Sequence, residues 1–118
     1  MVNKMKEKKE KYLVIEMDNP NLYLSQLGRA ATLKQAIELA KSPSPSFHYR
    51  FIIRIPRNLP EYQKNHLEEN PEVRSSKVIR TFTTYGHIDS SFFNGKTIDT
   101  VWWQIYYDLN KGYGWRRW

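Results

Sequence analysis

Apolar and polar residues alternate most clearly in "FHYRFIIRIPRN", Phe47 to Asn58. Phe47, Tyr49, Phe51, Ile53 and Ile55 fall on one face of an extended segment. His48, Arg50, Ile52 and Arg54 fall on the other, because successive side chains of a strand point to opposite sides. Pro56 ends this strand or marks an edge. The same period runs through "KYLVIEMDNPNLYLSQLGR", where Leu13, Ile15 and Met17 alternate with Val14 and Glu16. Asp18–Asn21 is turn chemistry: proline fixes φ, and Asn and Asp close local hydrogen bonds. The pattern predicts a hairpin whose second strand covers Asn21–Leu27 and stops at Gly28.

In "TLKQAIELAKS" the period becomes helical. Leu33, Ala36, Ile37 and Ala40 make one apolar stripe, and Thr32 is a suitable N-cap. The Ser-Pro run at Ser42–Ser46 stops the helix. "LPEYQKNHLEENPE" predicts a short helix or helical turn, with Pro60 in its first turn and Pro71 just beyond its end. Tyr62, His66 and Leu67 would form its thin apolar side. Val78–Tyr85 reads as a strand, and Phe92–Phe93 with Asn94-Gly95 as a hairpin signal.

Thr100–Leu109 fits two periods. As a strand it turns Val101, Trp103, Ile105, Tyr107 and Leu109 inward. As a helix it aligns Ile98, Val101, Trp102, Ile105 and Leu109, with Gly112 as C-cap. Its β-branched and aromatic content favours the strand. The expected fold is α+β: an N-terminal β-hairpin, helix and strand packed with a small C-terminal β-sheet. A mobile Lys-rich arm (1–11) precedes a single domain (12–118), with a candidate sub-boundary near 58–72.

A 118-residue chain with 40% hydrophobic residues can bury roughly two thirds of its unfolded surface. The absence of cysteine excludes disulfides, thiolate chemistry and Cys-type zinc sites. The apolar run Tyr12–Ile15 is too short for a signal peptide or a membrane span, so a cytoplasmic protein without a membrane partner is expected. The net charge is +7, and residues 41–60 carry Lys41, Arg50, Arg54 and Arg57 with no acid at all. That balance points to nucleic acid, or to an acidic or nucleic-acid-handling protein. Arg50 and Arg54 on one strand face would stand about 13 Å apart, which suits a phosphate track. The competing reading is a solvent-facing strand with cross-strand acid partners.

All four tryptophans lie in "VWWQIYYDLNKGYGWRRW". On the strand reading Trp103, Ile105 and Tyr107 join the core with Trp115, leaving Trp102, Tyr106 and Trp118 at the surface beside Arg116 and Arg117. Exposed aromatics with arginines suit base stacking or a protein interface. "VRSS" (Val73–Ser76), "KVI" (Lys77–Ile79), "VWWQIYY" (Val101–Tyr107) and "KGYGWRRW" (Lys111–Trp118) resemble the bacterial SH3-like barrel over residues 73–118. The resemblance implies a non-catalytic barrel that binds a peptide, a wall polymer or nucleic acid.

Catalytic signals are sparse. His87 and Asp89 would share a strand face, where the acid could orient the imidazole as a general base. No companion nucleophile motif accompanies them. "NGKT" (Asn94–Thr97) lacks the leading glycine and spacing of a phosphate loop. The expected function is therefore binding, with no cofactor: nucleic-acid binding through Arg50, Arg54, Arg57, Trp102, Tyr106, Arg116, Arg117 and Trp118. The alternative is a protein-interaction module or inhibitor, of a kind a mobile element could encode.

Overall fold

A computed structural model of the chain describes residues 9–18, 21–44, 49–84 and 91–110. Strands β1 (Tyr12–Met17), β2 (Leu24–Ala30), β3 (Tyr49–Arg54) and β4 (Arg80–Thr83) form one sheet in the order β2-β1-β3-β4. Every neighbouring pair is antiparallel. Helices α1 (Leu33–Ala40), α2 (Pro71–Arg74) and α3 (Ile98–Asn110) complete the α+β fold. Short 3-10 turns occur at Leu67–Glu69 and Ser91–Phe93.

The hairpin forms as the alternation predicts, but β2 starts at Leu24 and runs through Gly28 instead of ending there. The reason is a bulge. Val14 pairs with Gly28 and Ile15 with Gln26, so Leu27 is an extra residue in β2. An extra residue reverses the facing of everything beyond it. Leu24 therefore enters the core on one side of the sheet, while Ala30 enters the core on the other. Gly28 has a second role, since a Cβ there would come within 2.6 Å of a Leu39 methyl carbon. The missing side chain gives Leu39 of α1 its seat on the sheet.

α1 lies on the sheet face formed by Val14, Ala30 and Ile52. Its buried contacts are Ala36 and Ala40, whose small size lets the helix approach closely. The Thr32 hydroxyl accepts from the Gln35 amide at 3.1 Å, as expected of an N-cap. The opposite face carries the larger core. Leu13, Ile15, Met17, Leu24, Phe51 and Ile53 meet Leu59, Leu67, Val73 and Val78 there, together with Ile98, Val101 and Ile105 of α3. Residues from both sides of the candidate sub-boundary thus share one core.

Residues 59–74 follow the sequence reading in part. Pro71 opens α2 at its first position, although it also lies beyond the 3-10 turn. The Asn70 side chain caps α2 by accepting from the Glu72 and Val73 amides. Leu67 is buried, but Tyr62 is 85% exposed and forms no apolar side. This segment also closes the outer edge of β2: the Gln26 amide donates to the Lys64 carbonyl, and the Leu24 amide to Glu68 Oε1.

The C-terminal half departs most from expectation. Asn94-Gly95 does make a turn, with Gly95 at φ +87°, where glycine is favoured. The turn joins a 3-10 segment to α3 and not two strands. Residues 98–110 are helical, so the strand reading of Thr100–Leu109 is overturned. The Thr97 hydroxyl accepts from the Thr100 amide, and Asp99 occupies the first turn, where negative charge suits the helix dipole. Ile98, Val101 and Ile105 become the buried stripe. The segment Val101–Tyr107, which carries the likeness to an SH3-like strand, is not extended. The other part of that likeness, Lys111–Trp118, lies outside the described residues. Of the expected arm, residues 1–8 also lie outside them. Lys11 already belongs to the sheet, since its amide donates to the Ala30 carbonyl and its carbonyl accepts from Ile55. No helix among the described residues is long and apolar enough to cross a membrane.

Candidate nucleic-acid interface

The sheet separates the residues that the sequence suggested as one surface. Arg50 is 2% exposed and cannot meet a ligand. It pairs across the strands with Glu16, Nε to Oε2 at 2.8 Å. Its Nη1 donates to the carbonyls of Ala40 and Ser42 at the end of α1. The two rows of alternating residues were legible, and so was the competing reading of a cross-strand acid partner. The position of α1 over this row was not, and it turns Arg50 into a buried clasp between helix and sheet.

Arg54, four residues further along β3, is exposed. Its guanidinium carbon lies 5.6 Å from the ring centre of Tyr12, its cross-strand partner. Arg80 of β4 repeats the arrangement, 5.6 Å from the ring centre of Phe82. Arg80 is exposed and sits opposite Ile52, which makes it the diagonal neighbour of Arg54 across β3 and β4. Such neighbours are about 7–8 Å apart at their roots. Neither arginine forms an ion pair with another described residue. A guanidinium over a ring is attracted by the quadrupole and partly ordered by it. Arg80 was missed in the sequence because the register that sets it beside Arg54 is a tertiary property. Arg57 is exposed in the turn after β3.

Trp102 and Tyr106 lie on the other side of the sheet, on α3. Their rings stack, with centroids 5.4 Å apart and planes inclined by 10°. Trp103 stands across both, at 5.0 and 5.3 Å. At those separations the rings fill the space between them, so the cluster is a convex knob and not a cage for a cation. Trp103 is 49% exposed and Tyr107 is also exposed, contrary to their expected inward positions. Trp102 is half-buried: its indole N–H donates to the Leu22 carbonyl at 2.9 Å. Arg74 lies over the Trp102 ring at 4.7 Å and is already paired with Asp99 at 2.7 Å. The described basic group nearest this knob is therefore neutralised. Arg116, Arg117, Trp115 and Trp118 lie outside the described residues, as do His48, His87 and Asp89.

A second polar group joins the 3-10 turn to the hairpin. His66, Glu68 and Glu69 bring ligand-type atoms within 4.8 Å of one another. The Glu68 carboxylate already accepts from the Leu24 amide and contacts His66 Nδ1 at 3.3 Å. Its role as a brace for β2 accounts for the arrangement. The adjoining cavity of about 290 Å³ is lined by Glu16, Asp18, Tyr23 and His66, among others. Its two acids are likewise engaged, Glu16 with Arg50 and Asp18 with the Tyr23 amide.

Burial, and secondarily the negative charge of Asp108, pushes the Tyr49 phenol above its usual value of 10.0. The folded state thus holds this proton more tightly than the unfolded chain does. The associated stability is intact below pH 10 and is lost as the pH rises through the raised value. Alkaline denaturation of Tyr49→Phe is expected to be less steep above pH 10 than that of the wild type. Equal slopes would remove Tyr49 as a contributor.

Comparison with protein-family models, with curated proteins and with solved structures finds no match to this chain.

Proposed function

We propose that this protein is a non-catalytic nucleic-acid-binding protein whose binding surface is the part of the sheet beside α1. The observation that carries this reading is the pair Arg54 and Arg80: exposed, unpaired with any described acid, and each held over an aromatic ring. Phosphate needs such groups, since free cations release counterions on binding and a pre-ordered guanidinium loses less entropy. The net charge of +7 adds long-range attraction. This surface replaces the one expected from sequence: Arg54 remains, Arg50 leaves and Arg80 enters.

The test is fluorescence anisotropy of labelled DNA and RNA, single-stranded and duplex, at roughly 50 mM salt. Saturable binding is expected, weakened roughly tenfold or more in Arg54→Ala/Arg80→Ala with its circular dichroism unchanged. Absence of binding to every nucleic acid, or equal binding by the double variant, overturns the reading.

The α3 knob supports a second reading, a protein-interaction surface. Exposed Trp103 and Tyr106 with a neutralised Arg74 resemble interface anchors more than a phosphate site. The two readings use opposite faces and are compatible in one molecule.

A further inference from the structure

We infer, resting on the nucleic-acid reading above, that this face recognises the sugar–phosphate backbone and is indifferent to the bases. Arg54 and Arg80 each take a phosphate, and neither a base edge nor a base plane is held.

Stacking of a base needs a bare aromatic face. Tyr12 and Phe82 are the rings beside the two arginines, and each already has a guanidinium carbon 5.6 Å from its centre. Both rings are only partly exposed and also pack against the small core beneath α1. A base could take either ring only by displacing the arginine over it. Trp103 is exposed, but it belongs to α3, on the opposite side of the sheet. What Arg54 and Arg80 keep available is charge with hydrogen-bond donors, the combination that suits a phosphate oxygen.

Reading of a base edge needs an amide, an acid or a bidentate arginine brought to that edge. In a duplex, a helix or two-stranded ribbon that enters the groove brings it there. On this face of β1, β3 and β4, Glu16 and Arg50 are paired with each other, and the remaining residues besides Arg54 and Arg80 are apolar or aromatic. α1 projects from the same face, and its exposed polar residues are Lys34, Gln35 and Glu38. Gln35 Oε1 already accepts from the Ala31 amide at 3.3 Å, and the Glu38 carboxylate would repel the phosphates that flank a groove. Arg54 and Arg80 stand on the sheet and not on α1, as diagonal neighbours about 7–8 Å apart at their roots. A strand laid against them meets them through its charged outer side.

The test uses three single strands of about 16 nucleotides: one of mixed sequence, one of thymine only, and an abasic strand that keeps every phosphate. A mixed-sequence duplex of equal length accompanies them, and anisotropy is read between roughly 50 and 200 mM salt. The affinities of the three strands are expected to agree within about fivefold, because a single stacked or hydrogen-bonded base would be worth roughly 5- to 150-fold. Arg54→Ala and Arg80→Ala are each expected to make the log–log salt slope shallower by about 0.7, equally on all three strands. A difference among the strands beyond about fivefold, or an unchanged slope in either variant, overturns this inference while leaving nucleic-acid binding standing. Binding of the duplex without binding of any strand does the same. Failure of strands and duplex alike overturns the nucleic-acid reading itself, and this inference with it.

Discussion

Arg50→Ala is expected to lose about 3 kcal/mol of folding stability. The loss follows from what the guanidinium leaves behind. Glu16 would keep its charge in a site where it is only 21% exposed, and the Ala40 and Ser42 carbonyls would lose a charged donor. Breaking a buried pair from one side costs more than replacing both partners, because the remaining group stays desolvated. The figure sits at the lower end of the range for buried pairs because Glu16 keeps some contact with water. Arg50→Ala/Glu16→Ala is therefore expected to be less destabilised than the sum of the two single variants. Chemical denaturation of all four proteins measures this. Wild-type stability in Arg50→Ala would dismiss the clasp, and a selective loss of nucleic-acid binding by that variant would return Arg50 to the ligand surface.

The largest effect is expected at Phe51. It is fully buried in β3, a central strand. Its ring lies parallel to that of Tyr49 at 6.2 Å and edge-on to Phe93 at 6.5 Å. Phe51→Ala removes both contacts and leaves a cavity that the surrounding strands can close only partly, a cost of about 4 kcal/mol. Since domains are stable by only about 5–15 kcal/mol, the melting temperature should fall by roughly 15 °C. Phe51→Leu, which keeps most of the volume, should recover more than half of that. A small change in Phe51→Ala would mean that the face between the sheet and α3 is loosely packed.

The sequence made the N-terminal half readable because each element there has one dominant period. Leu13, Ile15 and Met17 allow only a strand, and Thr32 followed by the Ala36–Ala40 stripe allows only a helix. Residues 98–110 satisfy both periods. Aromatic strand preference is largely a record of packing against neighbouring strands, and here the available neighbour was the underside of an existing sheet. The local signal that separates the two cases is Thr97, whose hydroxyl caps the helix. The candidate site was readable only by residue type. Arg54 could be named from its alternating position. The burial of Arg50 depended on where α1 lands, and the place of Arg80 on the β3–β4 register, neither of which is encoded within one segment.

The closure of β2 by the Lys64 carbonyl and the Glu68 carboxylate has a consequence for the protein in concentrated solution. An outer strand with free amides is a template on which another extended chain can grow, and repeated addition gives fibrous aggregates. Here the amides of Leu24 and Gln26 already have acceptors from a non-repeating loop, one of them a charged side chain. Intermolecular strand addition at this edge must first displace those acceptors, so resistance to ordered aggregation there depends on the 64–68 segment staying docked.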